Sequence, residues 1–288
     1  MEIEKAGELG LCFGVKRAIE LLKQAAGKYG QIETLGPVAH NQKLVQGLAK
    51  LGIKPVGELG QVEGKILAIT AHGVSPLVLN EIKARRISVI DTTCPIVRKA
   101  QNIARELTEA GLGVIVFGET GHSEVKGLLG WAKDKSVAAL NPKQIAMASS
   151  LLGTKRNGLP RLGIISQTTQ SYSAFSEFIS QFVAVSHFKI GELRIVNTLC
   201  WVSQKRQDAA VRLAEASQLM IVVGGHDSAN TRHLVEASSN VVETHLVERA
   251  SEINNSWLVG KCHIGITAGT STPDELIEEV VTKLKSLG

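Results

Sequence analysis

The same arrangement occurs three times along the chain: a cysteine is followed at once by a long amphipathic pattern. The patterns FGVKRAIELLKQAAG, PIVRKAQNIARELTEAG and WVSQKRQDAAVRLAEAS follow Cys12, Cys94 and Cys200. Cys94 and Cys200 are also preceded by similar residues, in DTTC and NTLC. Such repetition indicates homologous structural units, so the chain is predicted to fold as several copies of one α/β unit.

The spacing inside the repeat is constant. Twenty-eight residues after each cysteine stands a polar residue between a predicted strand and a predicted helix, namely His40, His122 and Ser228. A later polar loop also recurs, as ITAHGVSP, ISQTTQS and ITAGTSTP, in which the corresponding residues are His72, Thr168 and Ser271. Because these coincidences recur in one order, chance is a poor explanation for them.

Short β-branched runs such as KILAIT, GVIVFG and LMIVVGG alternate with the helical patterns. This alternation predicts parallel sheets covered by helices. We therefore expect an α/β protein of three pseudo-threefold-related, doubly wound units in a trefoil-like arrangement around a central cavity. The expected units are residues 13–94, 95–196 and 197–288, the last completed by an N-terminal strand in 1–12. Ligands of open α/β sheets bind at the carboxyl ends of the strands, so the cysteines and polar loops should converge there.

Composition narrows the classes of function. With 44% apolar and 20% charged residues, the chain is typical of a globular protein. A net charge of +5 is compatible with an anionic substrate or an acidic electron-donor protein. No basic block predicts binding to nucleic acid, and no apolar run has the length of a transmembrane helix. The start, MEIEKAGELG, lacks a leader pattern, so we expect a cytoplasmic protein that binds neither nucleic acid nor membranes.

The three repeated cysteines predict a metal centre. A helix N-terminus lowers the pKa of a thiol and favours the thiolate that binds metals. Zinc usually recruits ligands through local CxxC pairs, which are absent here. Three thiolates from three repeats favour a 4Fe-4S cluster with one iron open to substrate. For a single cysteine, burial in the core is the better interpretation, and that is how we interpret Cys262, which begins a strand.

The polar loops predict a phosphate or diphosphate site. Helix starts offer unpaired N–H groups to anions, and Ser, Thr, Asn and His add side-chain donors. The candidates are His40, His72, His122, Thr168, Ser228, Asn230 and Ser271. Taken alone, each Ser, Thr or Asn is better explained as a cap or turn residue and each His as a structural or exposed residue, so the functional interpretation depends on convergence beside the cysteines. No Walker A or GxGxxG motif indicates a nucleotide.

Only the middle repeat has a carboxylate two residues after its first polar position, where the three repeats have Gln42, Glu124 and Asn230. Glu124 is therefore the candidate proton donor, especially if burial raises its pKa. The alternative is a glutamate that stabilises the first turn of a helix.

Nine motifs in order resemble the family of 4-hydroxy-3-methylbut-2-enyl diphosphate reductases, the last enzymes of the methylerythritol phosphate route to isoprenoids. They are GLCFGVKRAIE, PVAHNQ, TAHGVS, DTTCPIV, GETGHSEVKG, SQTTQS, NTLCWVSQKRQ, GGHDSANTRHL and TAGTSTPD. The resemblance implies one 4Fe-4S cluster on Cys12, Cys94 and Cys200. It also implies a diphosphate held by His40, His72, His122, Ser228, Asn230 and Ser271. Glu124 would be the proton source, Thr168 would lie close to the substrate hydroxyl, and His122 would act beside them.

In the family's reaction, two electrons from reduced ferredoxin or flavodoxin and two protons remove the allylic hydroxyl as water, which gives isopentenyl and dimethylallyl diphosphates. The chain departs from the family's Ser-Ser-Asn at Ala229, where only the backbone can contact the diphosphate. Leu11 stands where the family usually has Phe before the first cysteine.

Two alternatives remain open at the level of sequence. Quinolinate synthase also uses three cysteines from three pseudo-symmetric α/β units and an open iron, but it catalyses condensation and dehydration without net reduction. A metal-free module that binds small phosphates would require the cysteines to be structural. The motifs favour the reductase.

Overall fold

A computed structural model describes residues 1–133, 135–143, 145, 153–186 and 189–287. The strands are β1 (Glu2–Lys5), β2 (Ile32–Leu35), β3 (Ile53–Val56), β4 (Ile66–Ile69), β5 (Ser88–Asp91), β6 (Gly113–Phe117), β7 (Ser136–Ala139), β8 (Lys155–Arg156), β9 (Leu159–Ser166), β10 (Glu192–Ile195), β11 (Leu219–Val223), β12 (Thr244–Val247) and β13 (His263–Ala268). The α-helices are α1 (Phe13–Tyr29), α2 (Gln42–Lys50), α3 (Pro76–Ala84), α4 (Pro95–Glu109), α5 (Ser123–Trp131), α6 (Tyr172–Ser186), α7 (Trp201–Ala216), α8 (Ala229–Ser239) and α9 (Asp274–Leu287).

The chain divides into two compact units. Unit 1 comprises residues 1–31, 37–55 and 201–288, and unit 2 comprises residues 32–36 and 56–200.

Unit 1 contains the parallel sheet β1-β13-β11-β12. Alternate residues of its strand β11 point to opposite faces of the sheet. Leu219, Ile221 and Val223 pack against α9, whereas Met220 packs against α7 and Val222 against both α7 and α8. Both faces are therefore covered by helices, as in a doubly wound sheet. The N-terminal strand β1 pairs in parallel with β13, with Glu2 opposite His263.

Unit 2 contains the sheet β10-β9-β6-β7, whose four strands are parallel. The short strand β8 also pairs with β9, in the antiparallel direction. Val114 and Val116 of β6 pack against α4 and α5, and Ile115 and Phe117 pack against the phenylalanines of α6. Strands β2, β4 and β5 of a further parallel sheet also lie in this unit. On that sheet, Ile82 of α3 packs against Leu67.

The predicted fold class is confirmed: the described residues form parallel sheets with helices packed against them. The apolar runs that predicted strands, such as GVIVF and LMIVV, are central and wholly buried. This burial explains why they lack a polar alternation. Among the described residues, no helix combines the length and apolar character that crossing a lipid bilayer requires.

Candidate active site

Each predicted ligand cysteine lies immediately before a helix, and its backbone N–H donates to a carbonyl in a polar loop that follows a strand. The pairs are Cys12 with Thr270 at 2.9 Å, Cys94 with Ala71 at 3.0 Å and Cys200 with Thr168 at 2.8 Å. Each acceptor belongs to one of the loops predicted to bind substrate. The backbone therefore couples each cysteine to a candidate substrate loop.

Cys94 and Cys200 follow the same type of turn. Asp91 Oδ1 accepts a hydrogen bond from the N–H of Thr93 at 3.0 Å, and Asn197 Oδ1 accepts one from the N–H of Leu199 at 2.9 Å. A side chain that binds the backbone two residues later forms an Asx turn. The turn explains the Asp or Asn that lies three residues before Cys94 and Cys200, whereas the first copy has Leu9 at this position.

The threonine at the centre of each turn anchors this segment to its sheet. Thr92 Oγ1 donates to the carbonyl of Ile69 at 2.5 Å, and Thr198 Oγ1 donates to the carbonyl of Ser166 at 2.6 Å. Both threonines are buried. The shared letters of DTTC and NTLC thus correspond to shared hydrogen bonds.

The donor set fits a thiolate-bound metal cluster. Cys12, Cys94 and Cys200 are half-buried, and none of them forms a disulfide. Each lies immediately before the N-terminus of a helix. All three therefore have the chemistry that iron-sulfur ligation requires.

The interpretation of Cys262 as a packing residue is wrong. Its side chain is exposed just before β13. Its N–H donates to Gln218 Oε1 at 2.5 Å, and its carbonyl accepts the N–H of Glu2 at 2.8 Å. Only the backbone of Cys262 extends the sheet. The reason is that the buried apolar residues of the strand begin two residues later, at Ile264.

Glu124 and Thr168 are in direct contact inside unit 2. Glu124 lies in the first turn of α5 and is only 1% exposed. Its Oε1 accepts the N–H of Thr168 at 2.6 Å, and its Oε2 accepts the hydroxyl of Thr168 at 2.8 Å. Burial raises the pKa of Glu124 to about 7, against the opposing effect of the two hydrogen bonds from Thr168. The carboxyl group can therefore hold or release a proton near neutral pH.

His122 is placed as a hydrogen-bond donor beside this pair. Its Nδ1 accepts the N–H of Glu124 at 3.2 Å, so the proton of the neutral ring is on Nε2. The ring of His72 stands edge-on to that of His122, with 5.6 Å between the centroids. Unit 2 thus brings together four of the predicted site residues.

Gly73 shapes the loop that carries His72. Its φ is +68°, and a Cβ there would lie 2.3 Å from Nε2 of the buried Gln101. A side chain at this position is therefore excluded both by backbone conformation and by contact.

In unit 1, Ser228 and Asn230 lie at the start of α8. Ser228 Oγ caps the helix by accepting the N–H of Thr231 at 3.3 Å, so the simple interpretation of this serine as an N-cap is also correct. Asn230 is 3% exposed, and its side-chain oxygen and nitrogen have no hydrogen-bond partner among the described residues. A buried amide left unsatisfied is costly, which points to a bound ligand. Ala229, also buried, offers this site only its backbone.

The other predicted residues of unit 1 are His40 and Ser271. Burial lowers the pKa of His40, which keeps its ring neutral. The backbone of His40 lies close to Gly225: a Cβ on Gly225 would be only 2.2 Å from the carbonyl oxygen of His40. A cavity of about 320 Å³ adjoins His40. Because Asp227 and Glu248 also line it, this cavity disfavours an anion. Ser271 follows Thr270 in the loop between β13 and α9.

Sequence reasoning missed one residue, Arg206. It is 2% exposed, and its Nη1 donates to the carbonyls of Gly10 and Ala268, both at 2.9 Å. The guanidinium thereby fixes the segment that leads into Cys12. The signal was present in the sequence, since Arg206 lies three residues after Ser203 and four before Ala210, on the buried face of α7.

The family model for LytB protein matches residues 3–285. The chain belongs to the LytB family. Among curated relatives, 4-hydroxy-3-methylbut-2-enyl diphosphate reductase of Dehalococcoides mccartyi strain 195 is 41% identical over 287 residues, which cover 100% of this chain and 99% of the relative. The enzyme of the same name from Geobacter metallireducens is 36% identical over 288 residues and is covered to 98%.

Solved structures agree with membership of the LytB family. One, described as (E)-4-hydroxy-3-methyl-but-2-enyl diphosphate reductase, the terminal enzyme of the non-mevalonate pathway, is 32% identical with a TM-score of 0.69, and the match covers 99% of this chain and 100% of that one. Another, described as the E-1-hydroxy-2-methyl-but-2-enyl-4-diphosphate reductase from Plasmodium falciparum, is 25% identical with a TM-score of 0.87, and the match covers 99% of this chain and 88% of that one.

Proposed function

We propose that this LytB-family chain is a reductase that converts 4-hydroxy-3-methylbut-2-enyl diphosphate into isopentenyl diphosphate and dimethylallyl diphosphate. The observation that carries the proposal is the buried Glu124, with its pKa near 7, bonded to Thr168 whose carbonyl anchors Cys200. A neutral-range acid is thus built into the loop that positions a metal ligand. The full-length relatives that bear this enzyme's name support the same conclusion.

The proposed reaction balances with two electrons and two protons. The C–O bond of the allylic alcohol breaks, and its oxygen leaves as water after taking up one proton. A new C–H bond forms with the second proton, at one or the other end of the allyl group, which gives the two isomeric products.

Cys12, Cys94 and Cys200 are proposed to hold one 4Fe-4S cluster. When bound, the cluster supplies electrons one at a time and an open iron with affinity for the substrate oxygen. The chain's own contribution here is to present three thiolates on anchored backbone, each at the start of a helix.

The diphosphate is proposed to bind His40, His72, His122, Ser228, Asn230 and Ser271, together with the backbone N–H of Ala229. Asn230 supports this assignment most strongly, since its buried amide has donor and acceptor capacity that no described residue uses. The start of α8 adds a favourable dipole for an anion.

Glu124 is proposed to deliver the proton that turns the leaving hydroxyl into water. In its neutral form the carboxyl group carries the proton, and Thr168 is within hydrogen-bond distance to pass it on through its hydroxyl. His122 is proposed to orient the substrate by donating through Nε2–H.

Reduced ferredoxin or flavodoxin is the proposed electron donor, and we place the reaction in the cytoplasm, where thiols remain reduced. The test is an anaerobic assay in which reduced viologen dye is the donor and 4-hydroxy-3-methylbut-2-enyl diphosphate is the substrate. We expect two dye equivalents to be oxidised for each product molecule formed. Cluster-containing protein that leaves the dye unoxidised would contradict the reductase and favour a lyase or condensing enzyme.

A further inference from the structure

Two exposed aromatic side chains stand directly beside proposed cluster ligands. Phe13 follows Cys12 and is 55% exposed, and Trp201 follows Cys200 and is 61% exposed. Each is the first residue of a helix in unit 1. At protein surfaces, large aromatic side chains are enriched where partners bind.

Each aromatic residue is accompanied by an exposed lysine on the same face of its helix. Lys16 lies three residues after Phe13, and Lys205 lies four residues after Trp201. The ammonium group of Lys205 is 5.1 Å from the centre of the Trp201 ring, a cation–π contact. Both helix starts therefore present an apolar group next to a positive charge.

A buried arginine ties the two helix starts to one end of one sheet. Arg206, in the second turn of α7, donates to Gly10 just before α1 and to Ala268 at the end of β13. Cys12 is bonded to Thr270 in the same loop. The beginnings of α1 and α7 consequently share the carboxyl end of the sheet β1-β13-β11-β12.

We propose that Phe13, Lys16, Trp201 and Lys205 form a docking patch for an acidic one-electron carrier protein. The inference rests on the proposed reductase function, since that reaction consumes two electrons that its substrate does not supply. Electron transfer requires the carrier close to the cluster, and these residues are the exposed neighbours of two cluster ligands. The lysines attract an acidic surface, and the aromatic side chains supply the apolar contact that persists when charge is screened.

The experiment measures binding of oxidised ferredoxin to the full-length protein, alongside turnover with reduced viologen dye. The test variant is Lys16→Glu with Lys205→Glu. The control is Lys283→Glu with Lys285→Glu, which makes the same change in net charge in the last two turns of α9, far from the loop at the start of that helix. We expect the test variant to raise the Kd for ferredoxin roughly tenfold at low salt, and the control to leave it within about twofold. Both should retain dye-driven turnover.

Phe13→Ala tests the apolar part of the patch. At high salt, where the lysines are screened, the Kd of this variant for ferredoxin should be higher than that of the wild type. Its iron content should equal that of the wild type. An equal rise in the Kd for ferredoxin in both lysine double variants, or no rise in the test variant, would overturn the docking patch. Absence of dye-driven turnover in the wild type would instead overturn the reductase function, and the binding measurement would remain interpretable.

Discussion

At Glu124, a carboxyl group is held where burial favours its neutral form, and its pKa is raised to about 7. The protonated form is the one that can donate. As the pH rises through about 7, the protonated fraction falls, so kcat should fall about tenfold for each further pH unit. A profile of kcat against pH under constant ionic strength measures this directly, and a flat profile from pH 6 to 9 would contradict the assignment.

Glu124→Gln keeps the shape of the side chain and removes its proton. We expect turnover to fall by about a hundredfold to ten-thousandfold, while iron and sulfide content stay at the wild-type level. If the variant loses its cluster as well as its activity, Glu124 is structural.

Thr168→Val removes the hydroxyl that bonds Glu124 Oε2 and leaves the backbone N–H bond in place. Because hydrogen bonds from Thr168 lower the pKa of Glu124, their partial loss should move the fall in kcat to higher pH. Thr168→Ser retains the hydroxyl and is the matched control, with a profile close to that of the wild type. Identical profiles for Val and Ser would show that the hydroxyl does not act on Glu124.

At the scale of elements, the loops before the cysteines are as important as the cysteines themselves. Asp91→Ala should lose the Asx turn before Cys94, at a cost of about 1 kcal/mol, and should retain less iron after gel filtration. Asp91→Asn is the natural control, because Asn197 makes the same turn in the other copy. Equal iron retention by the Ala and Asn variants would mean that the turn does not position Cys94.

Gly73→Ala tests the loop of His72. The positive φ and the contact with Gln101 predict a displaced loop, at a cost of roughly 1–2 kcal/mol in stability, and a KM for substrate that rises more than kcat falls. Gly27→Ala, near the end of α1, is the control, since an added Cβ there meets nothing within 4 Å. Steady-state kinetics on both variants decide the point, and matching KM values would contradict a role for this loop in substrate binding.

The sequence predicted these elements well where a physical rule leaves little choice. Buried central strands are continuous apolar runs, and the cysteines at 94 and 200 share a turn that needs Asp or Asn. Arg206 was missed and Cys262 was misjudged for a common reason: residue type suggests exposure for arginine and burial for cysteine, whereas position on a helix face or a strand end decides the outcome. The hydrogen bond between Glu124 and Thr168 joins residues 44 positions apart, so only the fold could reveal it.

At the scale of the whole molecule, the described strands form three sheets, and we propose three repeats over 13–94, 95–196 and 197–288, the last completed by 1–12. The pairing of β1 with β13 and the repeated bonds from cysteine N–H groups to substrate loops are the supporting observations. In this account each of these three repeats contributes one thiolate to the cluster and one group of polar side chains to the substrate.

The most direct measurement is iron and sulfide analysis with an absorption spectrum, after strictly anaerobic purification, of the wild type beside Cys12→Ser, Cys94→Ser, Cys200→Ser and Cys262→Ser. The account predicts that the wild type and the Cys262 variant contain the cluster and that each of the other three has lost or damaged it. Five proteins with the same iron content and spectrum would contradict the three-cysteine site, and the proposed mechanism would fall with it.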